Sequence, residues 1–106
     1  MLVTTSTFLD GYKVTQHLGI IRGITVRSRG LGGNIVGGLE AVFGGSNTTF
    51  TELCETARQE AYELMVQHAQ QHGANAIISM RYDANEVFQG ITEVLAYGTA
   101  VVVEKV

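Results

Sequence analysis

The stretch from Thr48 to His72, TTFTELCETARQEAYELMVQHAQQH, constrains this chain more than any other. Phe50, Leu53, Cys54, Ala57, Ala61, Leu64 and Met65 recur at helical spacing, with Glu52, Glu55, Gln59, Glu63 and Gln70 between them, which predicts one long amphipathic helix. Thr49 with Glu52 three residues later forms a capping-box pattern, Ser46 to Thr48 offer alternative caps, and Gly73 supplies a left-handed residue just past the end. A single helix must bury its apolar stripe against something else. The rest of the 106 residues therefore has to supply the other layer of one domain, 1–106.

That layer reads as strands. Lys13 to Arg29, KVTQHLGIIRGITVRSR, is rich in β-branched residues, with Gly19 and Gly23 as bend or bulge points. A short extended piece around Leu2 to Thr7 precedes it across the turn signal Asp10-Gly11. After the helix, NAIISMRYDANEVF and ITEVLAYGTAVVVEKV form a hairpin through Gln89-Gly90. Seven of the sixteen residues from Gly30 to Gly45 are glycine, which fits a loop, yet Ile35, Leu39, Val42 and Phe43 keep helical spacing, which favours a short, loosely specified helix there. The expected fold class is α+β, a small antiparallel sheet packed on one long helix.

The composition bears on what covers the sheet. Only 16% of residues are charged, against about 25% in ordinary soluble domains. In the last strand Leu95, Tyr97, Val101 and Val103 alternate with Val94, Ala96, Ala100 and Val102, so both faces are apolar. One helix covers one face, and a second copy of the chain is the simplest cover for the other, which predicts a homo-oligomer. A net charge of -3 argues against nucleic acid. The lone Cys54, a start without leader character and the lack of a long apolar run argue for a cytoplasmic protein with no membrane partner.

The segment ETARQEAYELMVQHAQQHGANAIISMRYD, the Gly-Gly and Ser before it and the closing YGTAVVV resemble the small bacterial YbjQ-like family of uncharacterised proteins, a family labelled heavy-metal-binding. The resemblance spans essentially the whole chain. It implies an α+β subunit in a cyclic homo-oligomer, a homopentamer, with strands of adjacent subunits joined in a barrel-like core. It implies no established activity, and the metal label carries no ligand residue with it. The chain departs from the family pattern where Gly44-Gly45 runs directly into Ser46-Asn47, without the arginine that family members tend to have there.

Candidate chemistry is sparse. Paired Cys-x-x-Cys, His-Glu-x-x-His, a Walker lysine and a Gly-x-Ser-x-Gly elbow are all absent from the sequence, and the aspartates Asp10 and Asp83 suggest no acid-base pair. An unrecognised hydrolase remains only as a third reading. Gly44, Gly45 and Ser46 can hold an anion on backbone N–H groups, although a tight turn with a capping serine explains them as well. Arg27 and Arg29 share a strand face as a fork for an anion or simply as solvated ends, and Arg81 suggests an ion pair between subunits. Cys54, on the apolar stripe, reads as a buried core thiol.

His68 and His72 stand four residues apart on one helix face, a spacing that lets both imidazoles reach one divalent transition metal. Two ligands are too few for zinc, so any such site needs neighbouring subunits to complete it. The plainer reading places both histidines in the last helical turns, where the negative end of the helix dipole favours cations. The family more often has an apolar residue at position 72, which favours packing. The expectation is thus a small cytoplasmic homo-oligomeric binding or scaffold protein with a small-ligand site between subunits, and metal binding as the alternative.

Overall fold

The structure, a computed structural model, describes residues 1–28 and 46–106, with the side chains of 28 and 46–50 outside that description. The expected short helix at 35–43, together with Arg29, Gly44 and Gly45, lies outside the described residues. The elements are β1 (Leu2–Val3), β2 (Tyr12–Ser28), α1 (Ser46–Gln71), β3 (Ala76–Phe88) and β4 (Ile91–Lys105). They form a four-stranded sheet in the order β1-β3-β4-β2 with α1 on one face.

The local signals act as the residue types dictate. Gly11 and Gly90 adopt positive φ at the two expected turns, and the Tyr12 N–H donates to the Leu9 carbonyl at 3.1 Å. Gly73, at φ 82°, ends α1: its N–H reaches the Gln70 carbonyl at 3.0 Å and the Ala74 N–H reaches the Ala69 carbonyl at 3.1 Å, the paired bonds of a Schellman motif. Asn75 then starts β3 by exchanging two side-chain bonds with the Val103 backbone, at 2.9 and 2.8 Å, so its amide acts as an extra rung of the sheet.

The sheet is mixed rather than antiparallel. β3 and β2 flank β4 in antiparallel ladders, but β1 pairs in parallel with β3 at Ala76 and Ile77. A parallel neighbour needs a long crossover, and here β2 and α1 lie between the two partners. Two residues of pairing leave no periodicity to read, which is why this strand's direction was not legible.

α1 meets the sheet through a narrow stripe: Ala57, Ala61, Met65 and Ala69, four residues apart, are buried against Ile21, Ile77, Met80, Val94, Ala96 and Ala100. Small side chains let the two backbones approach. A methyl group added at Gly23 would overlap the Ala61 carbonyl oxygen and the Met65 backbone nitrogen, so β2 lies almost directly on the helix there. Leu53 and Leu64 are exposed, and so is Cys54, which corrects its reading as a core thiol. The described side chains from Thr51 to Thr56 all lie in solvent, and the stripe reaches the sheet only from Ala57 onward.

The face opposite α1 divides in two. At one end Ala76, Ile78, Val101 and Val103 are buried, with Leu9 of the N-terminal turn packed against them and Tyr12 and Val14 beside them on β2. Toward the hairpin tip Ile24, Val26 and Tyr97 are open, and Ile20 (76% exposed) is open at the β2 edge of the row that begins with buried Ile78. Strand alternation explains the division of faces: Ile21 and Gly23 face the helix, so Ile20, Arg22, Ile24 and Val26 face away.

Candidate functional site

Near the C-terminal end of α1 a groove of about 360 Å³ opens against the outer strand, lined by Arg22, Gly23, Ile24, Leu64, Gln67, His68 and Gln71. Gly23 makes it possible by drawing the helix backbone onto β2, and the seventeen residues of β2 form the outer edge of the sheet. His68, half-buried, turns its ring onto that edge. The Arg22 N–H donates to His68 Nδ1 at 3.0 Å, and the Arg22 carbonyl stands 3.2 Å from the same nitrogen. One atom cannot serve both at once: unprotonated Nδ1 accepts from the amide, and protonated Nδ1 donates to the carbonyl. In either case the imidazole satisfies one of the two edge groups of Arg22.

His72 is exposed, with Nδ1 2.9 Å from the His68 carbonyl, a geometry that makes this nitrogen the protonated one. The two rings sit edge to face with centroids 4.7 Å apart. The structure thus brings His68 and His72 together as the sequence predicted. Among the described residues, however, no group of three His, Cys, Asp or Glu side chains is placed to hold a metal ion. A single subunit does not complete the ligand set.

Ser46 opens α1, with its side chain outside the description, and Gly44 and Gly45 precede the described part of the helix. Arg27 does not stand free as an anion fork. It pairs with Glu60 of α1, which also accepts from the Thr25 hydroxyl at 3.1 Å. The Arg27 guanidinium and then this hydroxyl hold the Glu60 carboxyl below its ordinary range. Arg81 donates through Nη1 to the Thr5 carbonyl at 2.7 Å and the Met80 carbonyl at 2.8 Å, tying β3 to the N-terminal segment.

What sequence reasoning missed is the irregularity that sets Arg81. Between Ile78 and Arg81 the β3–β4 register shifts, with Ser79 at φ 55°, a left-handed conformation costly for a residue with a side chain. The N-terminal segment secures it: the Ser79 N–H donates to the Ser6 carbonyl at 2.8 Å and the Met80 N–H to the Thr4 carbonyl at 3.0 Å. Nothing in IISMRY announces a bulge.

The model of a family described as "Putative heavy-metal-binding", YbjQ_1, matches residues 1–104. The chain belongs to this family. A UPF0145 protein of Chromobacterium violaceum is 60% identical over 103 residues, covering 97% of this chain and 88% of the relative. Another, from Solibacter usitatus, is 58% identical over 99 residues, covering 93% and 88%. A crystal structure from Pediococcus pentosaceus, of a DUF74-family protein of unknown function, shares the fold with a TM-score of 0.58 at 18% identity, covering 98% of both chains. These names state no reaction, so the YbjQ-like site has to be argued from its own residues. Among the described residues, no helix is long and apolar enough to cross a membrane.

Proposed function

We propose that this YbjQ-like protein is a cytoplasmic homo-oligomeric binding or scaffold module whose small-ligand site is built between subunits. The observation that carries the reading is an open edge beside an open apolar face. Arg22 turns its N–H and carbonyl outward from β4, toward His68, and by strand alternation Ile20, Ile24 and Val26 do the same. The side chains of those three residues are exposed on the helix-free face. On the opposite side of the sheet, Arg81 to Phe88 extend past the N-terminal segment with no described ladder partner on that edge, carrying exposed Val87 and Phe88. A long exposed edge beside apolar side chains is what soluble proteins otherwise cover.

The two edges are different, so copies joining through them associate head to tail, and a rotation between copies that closes gives a ring. Rotation about an axis along the strands places the helices outside and the open apolar half inside, a barrel-like core like the one implied for the family's homopentamer. Native mass spectrometry tests it. The expected result is a single closed oligomer of the 11.4 kDa subunit, five copies for a pentamer, and a monomer at micromolar concentration overturns it.

A second reading, divalent transition-metal binding through His68 and His72, is favoured by one observation. Both Nδ1 atoms have a backbone carbonyl within reach, Arg22 at 3.2 Å and His68 at 2.9 Å, and metal-bound histidines commonly donate the second ring N–H to such a group, leaving Nε2 for the ion. The remaining ligands would come from neighbouring subunits. Zinc or nickel titration of the wild type against the double variant His68→Ala, His72→Ala decides it: unchanged affinity removes the pair.

A further inference from the structure

Three side chains on the helix-free face form a row that the readings above do not use. The register pairs Arg22 of β2 with Tyr97 of β4, and Tyr97 with Arg81 of β3. Their strand neighbours Ile21, Ala96 and Met80 are buried in the cluster beneath α1, so Arg22, Tyr97 and Arg81 leave the opposite face together. Adjacent strands lie about 4.8 Å apart, which sets the two arginine backbones about 10 Å from one another with the phenol between them. Two long side chains at that separation can converge on one small group above the ring.

Arg81 reaches this face only because of the bulge. Ile77 faces the helix cluster and Ile78 the opposite one; after the extra residue Ser79, Met80 again faces the helix and Arg81 the open side. Regular alternation would have sent Arg81 under α1. A strained residue, held by Ser6 and Thr4, therefore turns Arg81 to the face of Tyr97 and Arg22, with its guanidinium held at the N-terminal edge by the Thr5 carbonyl, and bulges and strain of this kind gather at binding sites.

Two carboxylates share this face with the two arginines, Asp83 of β3 and Glu93 of β4. Asp83, next on this face of β3, is engaged locally by the Ala84 N–H at 2.9 Å and the Asn85 amide at 3.2 Å. Glu93, two rows toward the hairpin tip, pairs in register with Val26 and Asn85. Among the described residues the arginine–carboxylate pair is Arg27 with Glu60, on the helix side. Arg81 uses Nη1 for the Thr5 and Met80 carbonyls, which leaves Nη2 and Nε as donors.

The geometry points to Arg22, Tyr97 and Arg81 as an oxyanion-binding site, one that takes a phosphate or carboxylate group between two guanidinium forks with the tyrosine hydroxyl as a further donor. This deepens the proposed function by naming its ligand class, and it rests on that reading only for the site's position between subunits. Within one chain the row is already complete. In a ring it would repeat in every copy around the inner face.

Calorimetric titration of the full chain with inorganic phosphate and with citrate tests the site and separates the two oxyanion sources. The wild type is expected to bind at least one of them, with affinity falling as salt rises. The double variant Arg22→Gln, Arg81→Gln is expected to lose tenfold or more, and Tyr97→Phe, which keeps the ring and its packing, a few-fold. No binding by the wild type, or equal affinity in the double variant and Tyr97→Phe, overturns the assignment; should the double variant not fold, Arg22→Gln alone, on an exposed residue, is read the same way. Native mass spectra of the same samples keep the two ideas apart. An oligomer that ignores both anions removes the site and leaves the assembly, whereas a monomer that binds removes the assembly and leaves the site.

Discussion

The two halves of the helix-free face carry similar side chains and have different fates. Around Val101 and Val103 the residues are buried, with Leu9 packed against them and Tyr12 and Val14 of β2 alongside. Around Ile24 and Val26, on the same side of the same sheet, the side chains are 42% and 56% exposed. The difference comes from reach. The N-terminal turn is fixed by β1 at one end and by the tight bend at Gly11 at the other, so it covers the half nearest the chain's start and no more. What the chain cannot cover by itself is where another molecule gains most by binding.

The largest expected effect falls in the roofed half. Ile78→Ala should cost about 2–4 kcal/mol in urea unfolding, because it opens a cavity under packed neighbours. Leu9→Ala, which removes part of the roof from a half-buried position, should cost about 1–2 kcal/mol by the same measurement. Equal, negligible costs at both positions would mean that the two halves do not differ.

The open half should respond in the opposite way. Ile24→Ser should change the stability of the dilute subunit by no more than about 0.5 kcal/mol, as expected for a surface position, while moving the native mass distribution toward 11.4 kDa. If the oligomer survives Ile24→Ser and Val26→Ser together, the open half is not the interface.

The smallest effect lies on the helix side and serves as a control. Glu60 is held below its ordinary value of 4.5 by Arg27 and Thr25. Its contribution to stability is therefore complete above that value and is lost as pH falls through the lowered one. Glu60→Gln should flatten that part of the acid unfolding curve slightly, more visibly at low salt, since the pair is exposed. A change on the neutral side of the curve would contradict the assignment.

How much of this was legible in the sequence follows from how local each signal is. The Asp10-Gly11 and Gln89-Gly90 turns, the left-handed Gly73 and the hairpin strands each depend on a few adjacent residues, and all are in place. The histidine pair was legible for the same reason. Cys54 was misread because periodicity gives a direction around the helix but not where along it the sheet begins, and the sheet begins at Ala57. The parallel pairing of β1, the roof formed by Leu9 and the attachment of His68 to Arg22 join residues far apart in sequence. The bulge at Ser79 was hidden because a single serine between Ile78 and Met80 carries no bulge signal, and with it the row of Arg22, Tyr97 and Arg81 stayed hidden.

The central claim, that the outer edge of β2 is covered by a second copy, is tested most directly by amide hydrogen exchange at Ile20, Ile24 and Val26, whose N–H groups point away from β4. Paired in an assembled ring, they should exchange as slowly as amides in the interior of β4 and speed up on dilution. Arg22 is an internal reference, since His68 already accepts from its N–H within the subunit. Fast exchange at all three positions, at a concentration where β4 is protected, would contradict the account.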